Sequence, residues 1–494
     1  MFKPFSIHRF QQTLLIGAGT LACALLALKI WNAPLFDWNG RRLVASIAAL
    51  YGYRVFNPLS EFVGISGLNG PVFLWAFFPA ALASTPDGAT RIGVLCAALL
   101  VLVPAGIWLL RTQPKRKSPA TYLGSLIFLV LLTFFSKALS YSAYMVHADS
   151  PSIACCTFAL LFTYVWLENR KKVALVAASM CAVLAFFSKI TFLPICAALP
   201  FYVWMVAGTR AALVLSAGIT GSFGVIGFVL SWRYGFSELY AAMYPIQNNV
   251  VSTLGSTSDF SHTLFGRAKV SIAALIEIFS EYFPILLGIS VLAATQKNWI
   301  RLRALLPFVV AVVMIPAAIA GRTHAGGAIN TQSPTAFFLI LAFVTLLCET
   351  RFSESERSRA TAQTVFFSFL ALISVVHVYT LYSLVSPLPT LPTNPQKVAF
   401  EYAKKHPEEV YFPDYPLASL LAEKKLYHSG QAIAEFLGSF HFSDEALRQR
   451  LPSKMRHIVF NGEPYGDFSS RFPEFTRVTE ISDLPNWKVL EKRN

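Results

Sequence analysis

Residues Phe36-Asp37-Trp38-Asn39-Gly40-Arg41-Arg42 open the first long polar interruption in an otherwise apolar chain, and the interruption runs on to Asn69-Gly70-Pro71. Asp37 stands just past the end of a membrane-length apolar segment. Beyond it Leu43, Ile47, Tyr51 and Val55 recur every fourth residue, with Val44 and Ala48 beside them, while Arg41, Arg42 and Arg54 fall elsewhere. That spacing predicts an amphipathic helix lying in the membrane interface, with a carboxylate presented at its leading end.

Composition makes the same demand of the whole chain. Of 494 residues 55% are hydrophobic and 14% charged, more apolar surface than a water-soluble protein of this length can hide. The net charge of +15 is not a nucleic-acid signal. From Ser386 onward Lys+Arg and Asp+Glu balance at 14 each, so the excess lies in short loops such as 111–117, 169–172 and 297–303. Loops of that kind are cytoplasmic anchors of membrane spans. The seven cysteines all lie in or beside apolar segments and show no metal-binding spacing.

Apolar segments run at 12–31, 70–84, 91–110, 119–140, 152–168, 173–188, 191–207, 211–231, 270–295, 303–320, 334–349 and 362–386. Placing every basic loop inside leaves no room for 70–84 as a full crossing, and it is shorter than the roughly 20 residues a span requires. The expectation is an all-α polytopic membrane domain over residues 1–386. It has about eleven transmembrane helices, an interfacial helix and a re-entrant one, with the N-terminus cytoplasmic. A Pro-rich linker at 387–395 leads to a small extracytoplasmic α/β domain at 396–494, with strands at 409–413 and 457–460 and a helix at 417–425.

This topology gathers polar residues on the outer face. Asp37 is either a solvated loop acid or a base beside Arg41 and Arg42, which would hold an anionic headgroup. His147-Ala-Asp149-Ser-Pro151 closes one span and opens the next. Asp149 is a helix cap in the bland reading; otherwise it converges with Asp37 to deprotonate a hydroxyl or hold a divalent metal ion. Lys189 interrupts two apolar segments, either snorkelling to the interface or meeting a phosphate. Arg322, His324 and Asn330, in a loop with Gly326 and Gly327, suit a phosphate ligand, and Tyr244 and Gln247 in the long outer loop are weaker candidates. No Walker A, His-Glu-x-x-His or Gly-x-Ser-x-Gly motif is present, so a substrate must come from the membrane or from outside.

At these residues the chain resembles the GT-C glycosyltransferases that use polyprenyl-phosphate-linked sugars, the superfamily of the protein mannosyltransferases (family 39-type) and the lipid A aminoarabinose transferases. The shared features are the acid after the first helix (Asp37), the interfacial helix and Gly70-Pro71 opening the next apolar segment. An acidic turn (Asp149), a Lys-containing turn (Lys189) and a late Gly-Gly-x-x-Asn loop (Gly326, Gly327, Asn330) complete the pattern. The resemblance implies an integral-membrane, inverting transferase that moves a sugar from a polyprenyl phosphate to a glycan, lipid or protein acceptor at the outer face. Asp37 would be the base, Asp149 a second acid, and Lys189 and Arg322 the partners of the lipid phosphate. Asp37 is followed by Trp-Asn-Gly rather than a second acid, so the motif itself does not call for a metal.

The competing class is a transporter or flippase for a lipid-linked saccharide, which places ionisable residues at mid-membrane and often carries internal repeats. The apolar segments here read as nearly charge-free, and no repeat is visible. The absence of any Asn-x-Ser/Thr sequon fits a bacterial inner membrane.

Overall fold

The computed structural model describes residues 7–57, 64–65, 69–112, 119–243, 264–296, 303–323, 329–351, 355–430, 432–433, 444–462, 472–479, 481, 484 and 487–492. In chain order the helices are α1 (Ile7–Trp31), α2 (Asp37–Leu50), α3 (Pro71–Ala76), α4 (Pro86–Thr112), α5 (Pro119–Phe135) and α6 (Lys137–Ser142). There follow α7 (Asp149–Asn169), α8 (Lys172–Ser188), α9 (Ile195–Ala207), α10 (Thr209–Tyr234), α11 (Phe236–Met243) and α12 (Leu264–Ala294). The last are α13 (Leu305–Thr323), α14 (Ser333–Arg351), α15 (Glu356–Val385), α16 (Pro395–Lys405), α17 (Pro416–Glu423) and α18 (Asp444–Arg448). Among the described residues nine of these helical stretches are long and apolar enough to cross a membrane, and α5 and α8 hold shorter apolar helices. The protein is a multi-pass membrane protein.

The segment at 70–84 breaks into α3 and a single 3-10 turn at Phe78–Leu82, and neither piece approaches a crossing. Helix α14 occupies the centre: its apolar stretch is wholly enclosed by protein. A helix that is hydrophobic on every side requires such a place, and from Ser333 to Cys348 α14 carries no charge.

Helix α2 departs from its expected form in two respects. It begins at Asp37, so the acid occupies the first turn and is not part of a loop ahead of the helix. It ends at Leu50, and Val55 falls beyond it. Gly52, at φ 86°, turns the chain into the left-handed region there. Tyr53 N–H donates to Ala48 O at 3.0 Å and Gly52 N–H to Ala49 O at 3.2 Å, a Schellman closure. The apolar face does not lie open in the interface either: Leu43, Val44, Ile47 and Ala48 are buried in the main core. They are enclosed because α4 and the 3-10 turn cover one side of α2 and α17 covers another.

The C-terminal part is a four-stranded sheet, order β1-β2-β4-β3, of β1 (Val410–Tyr411), β2 (His457–Phe460), β3 (Phe475–Thr479) and β4 (Lys488–Lys492). The β1–β2 pair is parallel and the other two pairs are antiparallel. Alternation divides its side chains. Val459 and Val489 join the core that includes the membrane helices, while Ile458, Phe460 and Leu490 build a second core on the far face. In the Pro-rich stretch before it, Leu388–Thr393 is a 3-10 helix. Asn394 then caps α16, accepting from Gln396 N–H at 3.0 Å, and donates to Pro34 O at 3.2 Å.

Gly70 makes one approach that no other residue could. A Cβ there would lie 1.8 Å from the carbonyl oxygen of Phe187, and Gly70 N–H donates to Ser188 O at 3.2 Å. This seats α3 on the last turn of α8, next to Lys189. Because the obstructing atom is backbone, Gly70→Ala is expected to cost about 3 kcal/mol, read as a drop in thermal unfolding temperature in detergent with Gly17→Ala, which meets open space, as the control.

Candidate active site

Asp149 starts α7 fully buried, and its carboxylate does not cap its own helix. Lys189 Nζ donates to Oδ1 at 2.5 Å, and Ser333 Oγ–H donates to Oδ2 at 2.6 Å. His147 Nδ1 lies 3.2 Å from the same Oδ2. Three separate elements therefore meet at one carboxylate: the turn after α8, the start of α14, and the loop before α7. Two helix starts also converge here, α7 with Asp149-Ser-Pro and α14 with Ser333-Pro, so the positive ends of two dipoles favour the negative charge.

Asn330 fixes the histidine from outside. Its Nδ2 lies 3.0 Å from His147 Nε2, so an amide donating to Nε2 leaves the ring proton on Nδ1, facing Asp149 Oδ2. The main-chain N–H of Asp149 also lies 3.2 Å from Nδ1, but a bare Nδ1 lone pair turned toward a carboxylate would be repelled, so the Nδ1–H tautomer is preferred. Burial pushes the imidazole down to about 4, with Arg42 and Lys189 acting in the same direction and Asp149 opposing them. His147 is therefore a neutral positioning group at physiological pH.

Asp37 has different surroundings. It is half-buried at the first turn of α2, and burial raises its carboxyl above the usual range, Arg41 opposing the rise and Asp414 adding to it. Arg41 NH2 lies 3.4 Å from Asp414 Oδ1 of the C-terminal domain. The neighbouring Arg42 turns the other way, buried, and donates to Val146 O at 3.1 Å. Both guanidinium groups lie over Trp38, at 5.6 and 5.2 Å from its ring. Asn39 completes the joint, accepting from Val146 N–H and donating to Ala33 O, each at 2.9 Å.

These contacts revise several expectations. Arg42 is inside the protein, spent on the loop before Asp149, and presents no charge to a headgroup. The two acids have different partners: each Asp149 oxygen is already taken, while Asp37 lies in the field of Arg41 and Asp414. Among the described residues no three His, Cys, Asp or Glu side chains gather around a possible metal position, and the committed oxygens of Asp149 do not fit one. Lys189 is neither snorkelling nor exposed, with its side chain 10% accessible. Arg322 lies 3.6 Å from Glu277, which also accepts from Gln332 Nε2 at 2.8 Å. Since Ser333 follows Gln332, Arg322 belongs to the same neighbourhood as Asp149. Tyr244, Gln247, His324, Gly326 and Gly327 lie outside the described residues.

The sequence reading missed Ser333, Glu277, Asn39 and Asp414. Glu277 and Glu281 stood in plain view as two acids in an apolar segment that was read as nearly charge-free. Both fall within the candidate span Ala268–Ala294 and both are engaged: Glu277 lies 3.6 Å from Arg322 and accepts from Gln332 Nε2, and Glu281 accepts from the start of α6 at Lys137 N–H, 2.9 Å.

Two outcomes follow. Asp149→Ala leaves Lys189 buried without its counter-ion and is expected to cost about 3–5 kcal/mol, while Asp149→Asn with Lys189→Met recovers most of the loss in thermal unfolding. His147 binds no proton in the folded state between its unfolded value near 6.5 and about 4. Its contribution is complete above 6.5 and is lost as pH falls toward 4, at up to about 1.4 kcal/mol per pH unit. A pH series of unfolding temperatures should show that slope flattened in His147→Gln.

No protein-family model matches the chain, and no curated protein matches it. Solved structures do. The crystal structure of ArnT from Cupriavidus metallidurans bound to undecaprenyl phosphate superposes with a TM-score of 0.56 at 13% identity, covering 95% of this chain and 97% of that one. The apo ArnT structure from the same organism gives 0.55 at 14% identity, covering 98% of both chains. At such identity the likeness is one of fold, and it runs almost end to end. The fold of this chain is therefore that of ArnT from Cupriavidus metallidurans.

Proposed function

We propose that the protein is an integral-membrane glycosyltransferase. On this reading it moves a sugar from a polyprenyl-phosphate carrier to an acceptor hydroxyl at the outer face of a bacterial inner membrane. The N-terminus would be cytoplasmic and the C-terminal domain periplasmic. The observation that carries the reading is the near-complete fold match to a membrane protein solved with undecaprenyl phosphate. It is joined by a half-buried carboxyl at Asp37 and a cationic cluster around Lys189 at the same end of the helices.

The chemistry follows from those groups. Asp37, ionised, accepts the proton of the acceptor hydroxyl as that oxygen attacks the anomeric carbon. The carbon–oxygen bond to the phosphate breaks on the opposite face, inverting the centre, and the polyprenyl phosphate leaves with both electrons. Lys189 and Arg322 take up the charge that develops on it. Asp149 is then a positioning residue: it spends one donor of Lys189 and leaves two for a phosphate. Burial of Asp37 serves the base role, because a carboxyl raised toward neutrality takes a proton more readily.

A carrier for the same lipid would need its ionisable groups inside the crossing path. Glu277 and Glu281, the acids set within an apolar helix, are both committed within the protein, to Arg322, Gln332, the α6 start and Tyr282.

The reading is tested by following release of polyprenyl phosphate from a panel of undecaprenyl-phosphate sugars with the protein in nanodiscs. Asp37→Asn is expected to lower turnover by about 10²–10⁴-fold with little change in donor binding. Donor binding without turnover in the wild type would instead point to the carrier.

A further inference from the structure

The first turn of α2 is enclosed from the C-terminal side by contacts of three kinds. Asp37 and Arg41 are four residues apart and so share a helix face. Arg41 reaches Asp414 at 3.4 Å, and both side chains are only 13% accessible. Between them Gly40 gives way to α16: a Cβ at Gly40 would lie 1.8 Å from Gln396 Nε2. Tyr415, buried just ahead of α17, accepts from Asn461 Nδ2 at 2.9 Å, and its phenol feels the charge of Asp37. Helix α17 packs along α2, and Asn394 bonds Pro34 O just ahead of Asp37. A loosely tethered domain would not place a half-enclosed ion pair, a helix packed along α2 and the Asn394–Pro34 bond at one locus.

We propose that the C-terminal domain is a working part of the active site, with Asp414 acting through Arg41 as the positioning residue for Asp37. The inference rests on the reading of Asp37 as the base and deepens it. Arg41 pairs with Asp414 at 3.4 Å, and its charge also acts on Asp37 one helical turn away. Held by Asp414, its guanidinium is kept from closing fully on Asp37, which would otherwise be locked in an ion pair and be too weak a base. Asp414 thus sustains the basicity of Asp37 in two ways, by its own negative charge and by restraining the cation. Other charges nearby are engaged elsewhere: on α4, Asp87 takes Asn394 Nδ2 at 3.1 Å and Arg91 lies over Trp31. At the far end of α17 Lys424 meets Tyr51.

The test is an infrared titration of the full chain in nanodiscs, in which the Asp37 carboxyl band is identified by its loss in Asp37→Asn. Asp414→Asn is expected to lower the Asp37 midpoint by about half a pH unit or more, the effect of one charge a few ångströms away. Arg41→Gln should raise it, and Asp414→Glu should leave it near the wild-type value. A well-folded Asp414→Asn with an unmoved midpoint overturns the proposal. If that variant fails to fold, an unmoved midpoint in Arg41→Gln overturns it equally. In turnover of an undecaprenyl-phosphate sugar the acidic limb of kcat should move with the infrared midpoint while KM for the donor stays put, a split that a merely structural role would not give. Full turnover by Asp37→Asn would remove the base reading and leave the infrared shift as evidence of positioning alone, so the two claims fail separately.

Discussion

An ion pair fully enclosed by protein is costly unless every valence of the carboxylate is answered. The Asp149–Lys189 pair meets that condition with Lys189 on one oxygen, and Ser333 and His147 on the other. Each partner is delivered by a different element, so the requirement becomes a geometric one. The turn after α8, the start of α14 and the loop before α7 must all arrive within hydrogen-bonding distance or the buried charge is stranded. The ends of the helices that carry Asp149 are registered by this demand. Gly70, pressed on the Phe187 carbonyl, extends the registration to α3.

Helix α2 carries that order outward. Its consecutive arginines point in opposite directions, Arg42 into the loop of Asp149 and Arg41 to Asp414 in the C-terminal domain. With Trp38 between them and Asn39 bonded to Val146, one helical turn mechanically couples the buried pair, the Asp37 carboxyl and the C-terminal domain. The burial of Leu43, Val44, Ile47 and Ala48 is what makes the coupling stiff. A helix resting on lipid would leave Asp37 free to wander by more than catalysis tolerates.

What was legible in the sequence follows from range. Membrane segments are local features, and the apolar runs mark helices found in the structure. Asp37, Asp149 and Lys189 were legible too, because each is a polar interruption in apolar surroundings and desolvation makes such residues conspicuous. Their partners were not. Ser333 is 184 residues from Asp149 and Asp414 is 373 from Arg41, and nothing in the local pattern of either announces a meeting. The amphipathic period of α2 was read correctly, but its environment was not, since periodicity tells which face is apolar and is silent on whether lipid or protein covers it. Glu277 is the instructive miss: an acid inside an apolar helix is itself a signal, and it leads directly to Arg322 and Gln332.

The balance of charge explains why a site of this kind suits a phosphate ligand. Asp149 and Lys189 cancel, His147 is neutral, and Glu277 offsets Arg322, while the buried Arg42 is turned to Val146 O. On the proposed reading that near-neutrality is useful. A site with several uncompensated cations would bind carrier lipid before and after transfer with nearly equal strength, and uniform binding does not accelerate the chemical step. Cations already half-satisfied by fixed carboxylates respond most when additional charge develops on the departing phosphate. On the proposed reading, Asp149 and Glu277 therefore restrain Lys189 and Arg322 as Asp414 restrains Arg41, each acid holding a cation slightly back from the group it faces.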